Sequence, residues 1–101
     1  MIGLLRDRAE VRISQSEPDG QGGWRETGHR SVAVWLGMEP IGTATDPDTG
    51  RERNRYRATL RHRTDISAPA RLHWRGRVLN ILSADDPDLR GERLHLICED
   101  L

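Results

Sequence analysis

No lysine and no phenylalanine occur in the 101 residues, cysteine occurs once, and aromatic side chains make up only 4% of the chain. Each scarcity excludes something. Cys98 alone permits no internal disulfide and supplies no cysteine pair for a metal. With hydrophobic residues at 35% and charged residues at 32%, the core must be thin, and much of each strand must face solvent or a partner. Long apolar runs are missing too. Met1-Ile2-Gly3-Leu4-Leu5 gives way at once to Arg6, Asp7 and Arg8, too soon for a signal peptide or a membrane span, so a soluble chain made in the cytoplasm, with no membrane partner, is expected.

Catalytic patterns are missing as well. No nucleophile stands beside a plausible base in a recognisable motif, and neither a phosphate-binding glycine loop nor a zinc signature occurs. His29, His62, His73 and His95 are scattered and read as half-buried strand residues rather than ligands. Asp46 and Asp48 have the spacing that opens a calcium loop, but the third acidic position, the glycine and the closing glutamate do not follow. No enzyme, cofactor or metal site is expected.

Sixteen basic residues, all arginine, balance sixteen acidic ones. A net charge of zero argues against a dedicated nucleic-acid binder, which carries a basic excess. The exclusive use of arginine is either codon bias or retention of a side chain suited to bidentate contacts with carboxylates and phosphates. The length allows one domain, 1–101, burying no more than about two thirds of its unfolded surface.

Alternation with period two dominates what is present. Ala9, Val11 and Ile13 alternate with polar residues over 5–14, a half-buried strand. Gln15 to Gly23 reads as an exposed loop. Over Trp24 to Glu39, Val32, Val34, Leu36 and Met38 point one way and Ala33, Trp35 and Gly37 the other, a central strand that Pro40 ends. Ile41 to Arg53 reads as a long irregular loop, disordered or functional. From 54 to 65, Arg55, Arg57, Arg61 and Arg63 line one side and Tyr56, Ala58, Leu60 and His62 the other; the arginine stripe is either a solvated face or a contact surface, since like charges along one face need something opposite to neutralise them. Ala70 to Leu101 holds three apolar runs parted by Arg75-Gly76 and by an acidic cluster with Pro87 and Gly91, the pattern of a three-stranded meander. Trp74, Val78, Ile81, Leu94 and Leu96 are its expected wall residues. The fold class is all-β: a small antiparallel β-barrel of about six strands with long loops.

Several stretches taken together resemble a known family. Trp74-Arg75-Gly76-Arg77-Val78-Leu79-Asn80-Ile81, Asp86-Pro87-Asp88 and Leu94-His95-Leu96-Ile97-Cys98-Glu99 resemble the ending of the phage head-tail joining proteins, also called head-closure or stopper proteins, of tailed phages and gene transfer agents. Upstream, Leu5-Arg6-Asp7-Arg8, Asp19-Gly20-Gln21-Gly22-Gly23-Trp24, Val34-Trp35 to Glu39-Pro40 and Arg61-His62-Arg63-Thr64-Asp65-Ile66 carry the likeness over nearly the whole chain. The resemblance implies a virion protein in a homo-oligomeric ring, sixfold or twelvefold. Such a ring lies between the adaptor ring and the tail terminator or tail tube, closes the channel for double-stranded DNA and gives the tail a docking surface.

The resemblance also implies that Gly42, Thr43, Thr45, Asp46, Asp48 and Gly50 belong to a loop projecting into the channel. In the same setting Arg55, Arg57, Arg61 and Arg63 would serve subunit or channel electrostatics, Glu17, Asp19 and Gln21 would contact a neighbouring ring, and Asp85, Asp86 and Asp88 would meet arginines of the next subunit. A rival from another class is a small barrel binding single-stranded nucleic acid, with the arginine stripe beside Trp24, Trp35, Trp74 and Tyr56 as stacking platforms.

Overall fold

The computed structural model describes residues 6–101, so Met1 to Leu5, where the first strand was expected to start, lie outside the described residues. Six strands follow one another: β1 (Asp7–Pro18), β2 (Trp24–Thr45), β3 (Glu52–Arg61), β4 (Ala70–Trp74), β5 (Arg77–Asp85) and β6 (Arg93–Asp100). No helix occurs among the described residues, hence none long and apolar enough to cross a membrane. All neighbours are antiparallel and the sheet closes in the order β1-β2-β3-β6-β5-β4. Two three-stranded meanders are thus sewn together twice, by β3 with β6 and by β1 with β4.

The alternation seen in the sequence decides what is inside. Val11, Leu36, Ala58, Leu72, Leu96 and Cys98 are fully buried, and Leu60, Leu79, Ile81 and Leu94 nearly so. Each strand contributes its period-two apolar set to one continuous core. Within the last meander, Ile81, Leu94 and Leu96 are wall residues as expected. Trp74 and Val78 are only half-buried, and Leu72, Leu79 and Cys98 fill the centre instead. Tyr56 and Trp74 pack against the core with ring centroids 6.0 Å apart. On the connection from β3 to β4, at the other end, Ile66 is buried in the core, and the Ala68-Pro69 peptide there is cis.

β2 departs most from expectation. Its 22 residues would span about 70 Å if straight, whereas the longest axis of the molecule is 47 Å. The strand is therefore bent, and it changes partner as it goes: residues up to Leu36 pair with β1, and Leu36 onward pairs with β3. Pro40 does not end it. The register shifts between Pro40 and Gly42, leaving Ile41 extra, and a bulge accepts a residue without an N–H. The segment expected to be an irregular loop is mostly ladder, with Gly42, Thr43 and Thr45 in β2 opposite β3 and a tight turn over 46–51. Likewise Gln15–Pro18 belongs to β1, so the loop expected over 15–23 shrinks to 19–23.

Candidate assembly surface

Lengthening these strands makes two ribbons. Beyond Arg12, β1 has no partner but β2, since β4 pairs only with residues 10–12. The resulting β1-β2 ribbon is exposed on nearly every residue from Ser14 to Glu26. Beyond Leu36 the β2-β3 ribbon runs to its own turn. Because these turns lie at the two termini of one strand, the ribbons leave opposite ends of the barrel.

Both tips are fixed by an aspartate that caps its own turn. Asp19 Oδ1 accepts hydrogen bonds from the Gln21 N–H at 2.7 Å and the Gly23 N–H at 3.0 Å. A Cβ on Gly23 would lie 2.9 Å from Asp19 Oδ2, so a larger residue there would push the capping carboxylate aside. Asp46 Oδ1 accepts from the Asp48 N–H at 2.8 Å, and the Gly50 N–H donates to the Asp46 carbonyl at 2.8 Å. The amide of Asp48 thereby holds the Asp46 carboxyl below the usual carboxylate range. These are Asx turns, a use of aspartate that sequence alone does not separate from a cation loop. No group of three or more His, Cys, Asp or Glu is placed to hold a metal ion among the described residues.

Of the residues expected to contact a neighbouring ring, Glu17 pairs with Arg25 across the first ribbon at 2.5 Å and Gln21 is exposed at its tip. The acidic turn between β5 and β6 is also committed within the chain. Asp86 accepts from the Gly91 N–H at 2.7 Å and the Asp88 N–H at 3.3 Å, which lowers its pKa, and its carboxylate lies 3.9 Å from His62 Nε2. Asp88 pairs with Arg93. Only Asp85 of that trio remains without such a bond among the described residues, exposed opposite His95.

The arginine stripe lies on the outer face of β3, as its spacing requires, but much of its charge is neutralised at home. Arg55 donates to Glu99 at 3.0 Å and Arg57 to Glu39 at 2.6 Å, both acids on flanking strands. Arg63 lies beyond the strand, where it binds Asp65 through two hydrogen bonds of 2.9 and 2.8 Å. That contact, chiefly the hydrogen bonds of Arg63, takes the Asp65 carboxyl down to about 2. Arg30 completes the cluster by donating to the Asp65 carbonyl at 2.6 Å, tying the β3-β4 connection to β2. Arg61 is exposed and has no ion-pair partner among the described residues.

Between the stripe and β6 runs an open groove of about 530 Å³. Gly37 and Met38 lie along one side, Arg57 and Thr59 in the middle, and Arg93 and His95 on the other. Sequence reasoning missed this groove, because the residues come from three strands whose adjacency is set by barrel closure. Two of the four proposed stacking platforms are withdrawn by the structure: Tyr56 and Trp74 pack on each other and carry Arg77 and Arg75 on their faces, at 5.5 and 5.2 Å. Trp35 is 55% exposed under Arg8, and Trp24 is 72% exposed at the base of the first ribbon's tip. With Arg55, Arg57 and Arg63 paired and Tyr56 and Trp74 packed on each other, the single-strand nucleic-acid reading keeps only Arg61, Trp24 and Trp35 of its expected surface.

The family of phage head completion proteins matches the chain over residues 1–101. The chain belongs to that family. It is a structural protein of a phage-type particle rather than an enzyme, and it works in association with other head and tail proteins. Two solved structures share the fold. A chain in the virion of a native gene transfer agent particle has a TM-score of 0.69 at 17% identity, covering 95% of this chain and 94% of that one. The solution structure of protein SF1141 from Shigella flexneri 2a has a TM-score of 0.64 at 26% identity, covering 98% of this chain and 95% of that one. No curated protein matches.

Proposed function

We propose that this head completion protein assembles as a closed homo-oligomeric ring, sixfold or twelvefold. The ring seats between the adaptor and the tail terminator or tail tube, closes the channel for packaged double-stranded DNA and presents the surface on which the tail docks. The observation that carries this reading is the pair of ordered ribbons leaving opposite ends of a small closed barrel. A two-stranded ribbon buries too little to justify itself in a monomer, and two of them reach in two directions, as a connector between upper and lower neighbours requires. A gene transfer agent virion chain of the same fold is consistent with that setting.

Within it, the β2-β3 tip, with Asp46, Asp48 and Gly50 beyond Gly42, Thr43 and Thr45, is the element that enters the channel. Its carboxylates repel phosphate, which suits an obstruction rather than a DNA grip. Arg61 and the edge of the arginine stripe face the neighbouring subunit or the channel wall, and Glu17, Asp19 and Gln21 face an adjoining ring. The test is DNA retention. Filled, tail-less heads given the purified protein should hold their DNA against nuclease, and a chain with its 46–51 turn cut to Asn-Gly should bind the heads and protect less. Equal protection by the shortened chain would remove the channel role from this tip.

A further inference from the structure

Most of the exposed large apolar side chains sit on projections: Trp24 on the first ribbon, Ile41 on the second, Leu89 on the β5-β6 turn and Leu101 at the C-terminus. Among the described residues only Trp35 and Leu82 of that set lie on the barrel wall itself. In the closed order β1-β2-β3-β6-β5-β4, β2 and β5 are three strands apart in either direction. The two side chains therefore stand on opposite sides of the barrel.

Trp35 faces outward because Val34 and Leu36 on either side of it are buried. The exposed Ala33 continues its face, and Arg8, its ladder partner on β1, places a guanidinium 5.8 Å from the ring centroid. Arg8 has no carboxylate partner among the described residues. Leu82 is turned out by a different device. The register shift between Ile81 and Ser83 leaves it extra in β5 and 44% exposed, since a bulge re-aims a side chain. It joins the face of Ile97, which points outward because Leu96 and Cys98 are buried. Asp85 borders that face, exposed and without a hydrogen bond or ion pair among the described residues.

We infer that these two faces meet between neighbouring copies of this chain: Trp35 of one copy packs on Leu82 and Ile97 of the next. Exposed indoles are frequent centres of binding energy at protein interfaces. The charges agree without drawing on any pair already made within the chain, because the free cation Arg8 borders one face and the free anion Asp85 the other. A two-fold contact would set Trp35 and Arg8 against their own copies, like charge against like. Unlike faces on opposite sides of one barrel instead make a heterologous contact, in which each copy gives one face and receives the other, and which closes into a ring when the rotation permits. Both ribbons then remain free at the barrel ends. This inference rests on the ring reading above and names the contact that closes the ring.

Its test is self-association of the full chain by sedimentation, in solution or, if rings form only there, on the portal-adaptor connector. Trp35→Asp and Leu82→Asp each spoil one face and leave the other intact. Each variant alone should associate roughly 30-fold more weakly than the unaltered chain. Mixed in equal amounts they should give a dimer and nothing larger, because one good pair of faces remains. Resistance of the buried Cys98 to iodoacetamide checks that each variant is folded, and Trp35→Ser with Leu82→Ser repeats the mixing if a carboxylate on the wall unfolds the barrel. Variants that form rings as well as the unaltered chain, or a mixture that stays monomeric, would overturn the wall contact and leave the ring standing. An unaltered chain that stays monomeric both alone and on the connector removes both readings.

Discussion

Cys98 lies wholly inside the barrel, paired with Tyr56 of β3 on one side and Ile81 of β5 on the other. Burial pushes its thiol up to about 12, so no reactive thiolate forms near neutral pH. Iodoacetamide should leave the folded chain unmodified and label it fully in denaturant; rapid labelling of the folded chain would contradict the closed core. Leu96, fully buried in the same layer, should cost about 2–5 kcal/mol when changed to Ala, measured by denaturant unfolding. For Asp65 the folded carboxyl sits at about 2 against an ordinary 3.8, so the unfolded chain takes up the proton first. Its contribution to stability is present above about 4 and is lost as pH falls toward 2. Lowered carboxyls at Asp7, Asp46 and Asp86 act in the same direction. Melting temperature should fall over that window, and Asp65→Asn should flatten the fall; an unchanged slope would remove the Arg63-Asp65-Arg30 cluster as its source.

At the level of elements, the turn between β4 and β5 shows how much the sequence could carry. Arg75 and Gly76 have φ of 48° and 74°, the two left-handed positions of a two-residue hairpin, and Gly there was readable at once. Trp74 Nε1 and the Arg75 guanidinium both donate to Asp7 at 2.9 Å, clasping this turn to the start of β1. Gly76→Ala should cost about 1–2 kcal/mol in denaturant unfolding, and a neutral result would mean the turn can rearrange. Period-two alternation likewise revealed β1, β3 and the last meander, because one face of each is core. The ribbons were hidden for the opposite reason. With neither face buried, Gln15–Pro18 and Ile41–Thr45 show no alternation, and Pro40, Gly42 and the aspartates read as breakers when they are a bulge and two caps. The groove was invisible because it exists only after β3 pairs with β6. Excising Ser16–Glu26 and joining Gln15 to Thr27 through Asn-Gly should leave a barrel whose Cys98 still resists iodoacetamide, since that ribbon contributes nothing to the core cluster.

For the whole molecule, the composition becomes intelligible once the neighbours are counted. Six strands close into a barrel, and the charge is spent largely on arginine-carboxylate pairs across adjacent strands, such as Arg55-Glu99, Arg57-Glu39 and Arg77-Asp100. Exposed pairs of this kind add little stability, but they fix side chains on the outer face. What they leave over is apolar surface with no use in a monomer: Trp24, Trp35, Ile41, Leu82 and Leu89, the last 90% exposed. Ile41 and Leu82 are the extra residues at two register shifts, pushed outward by bulges. A protein that completes a phage-type head in association with other head and tail proteins has reason to keep such surface. The most direct measurement is cryo-electron microscopy of portal-adaptor connectors with and without the added chain. One further ring of barrels, at the connector's own symmetry and with the β2-β3 tips turned toward the axis, is the predicted result. Connectors that bind the adaptor normally yet gain no density, or gain scattered single copies, would contradict it.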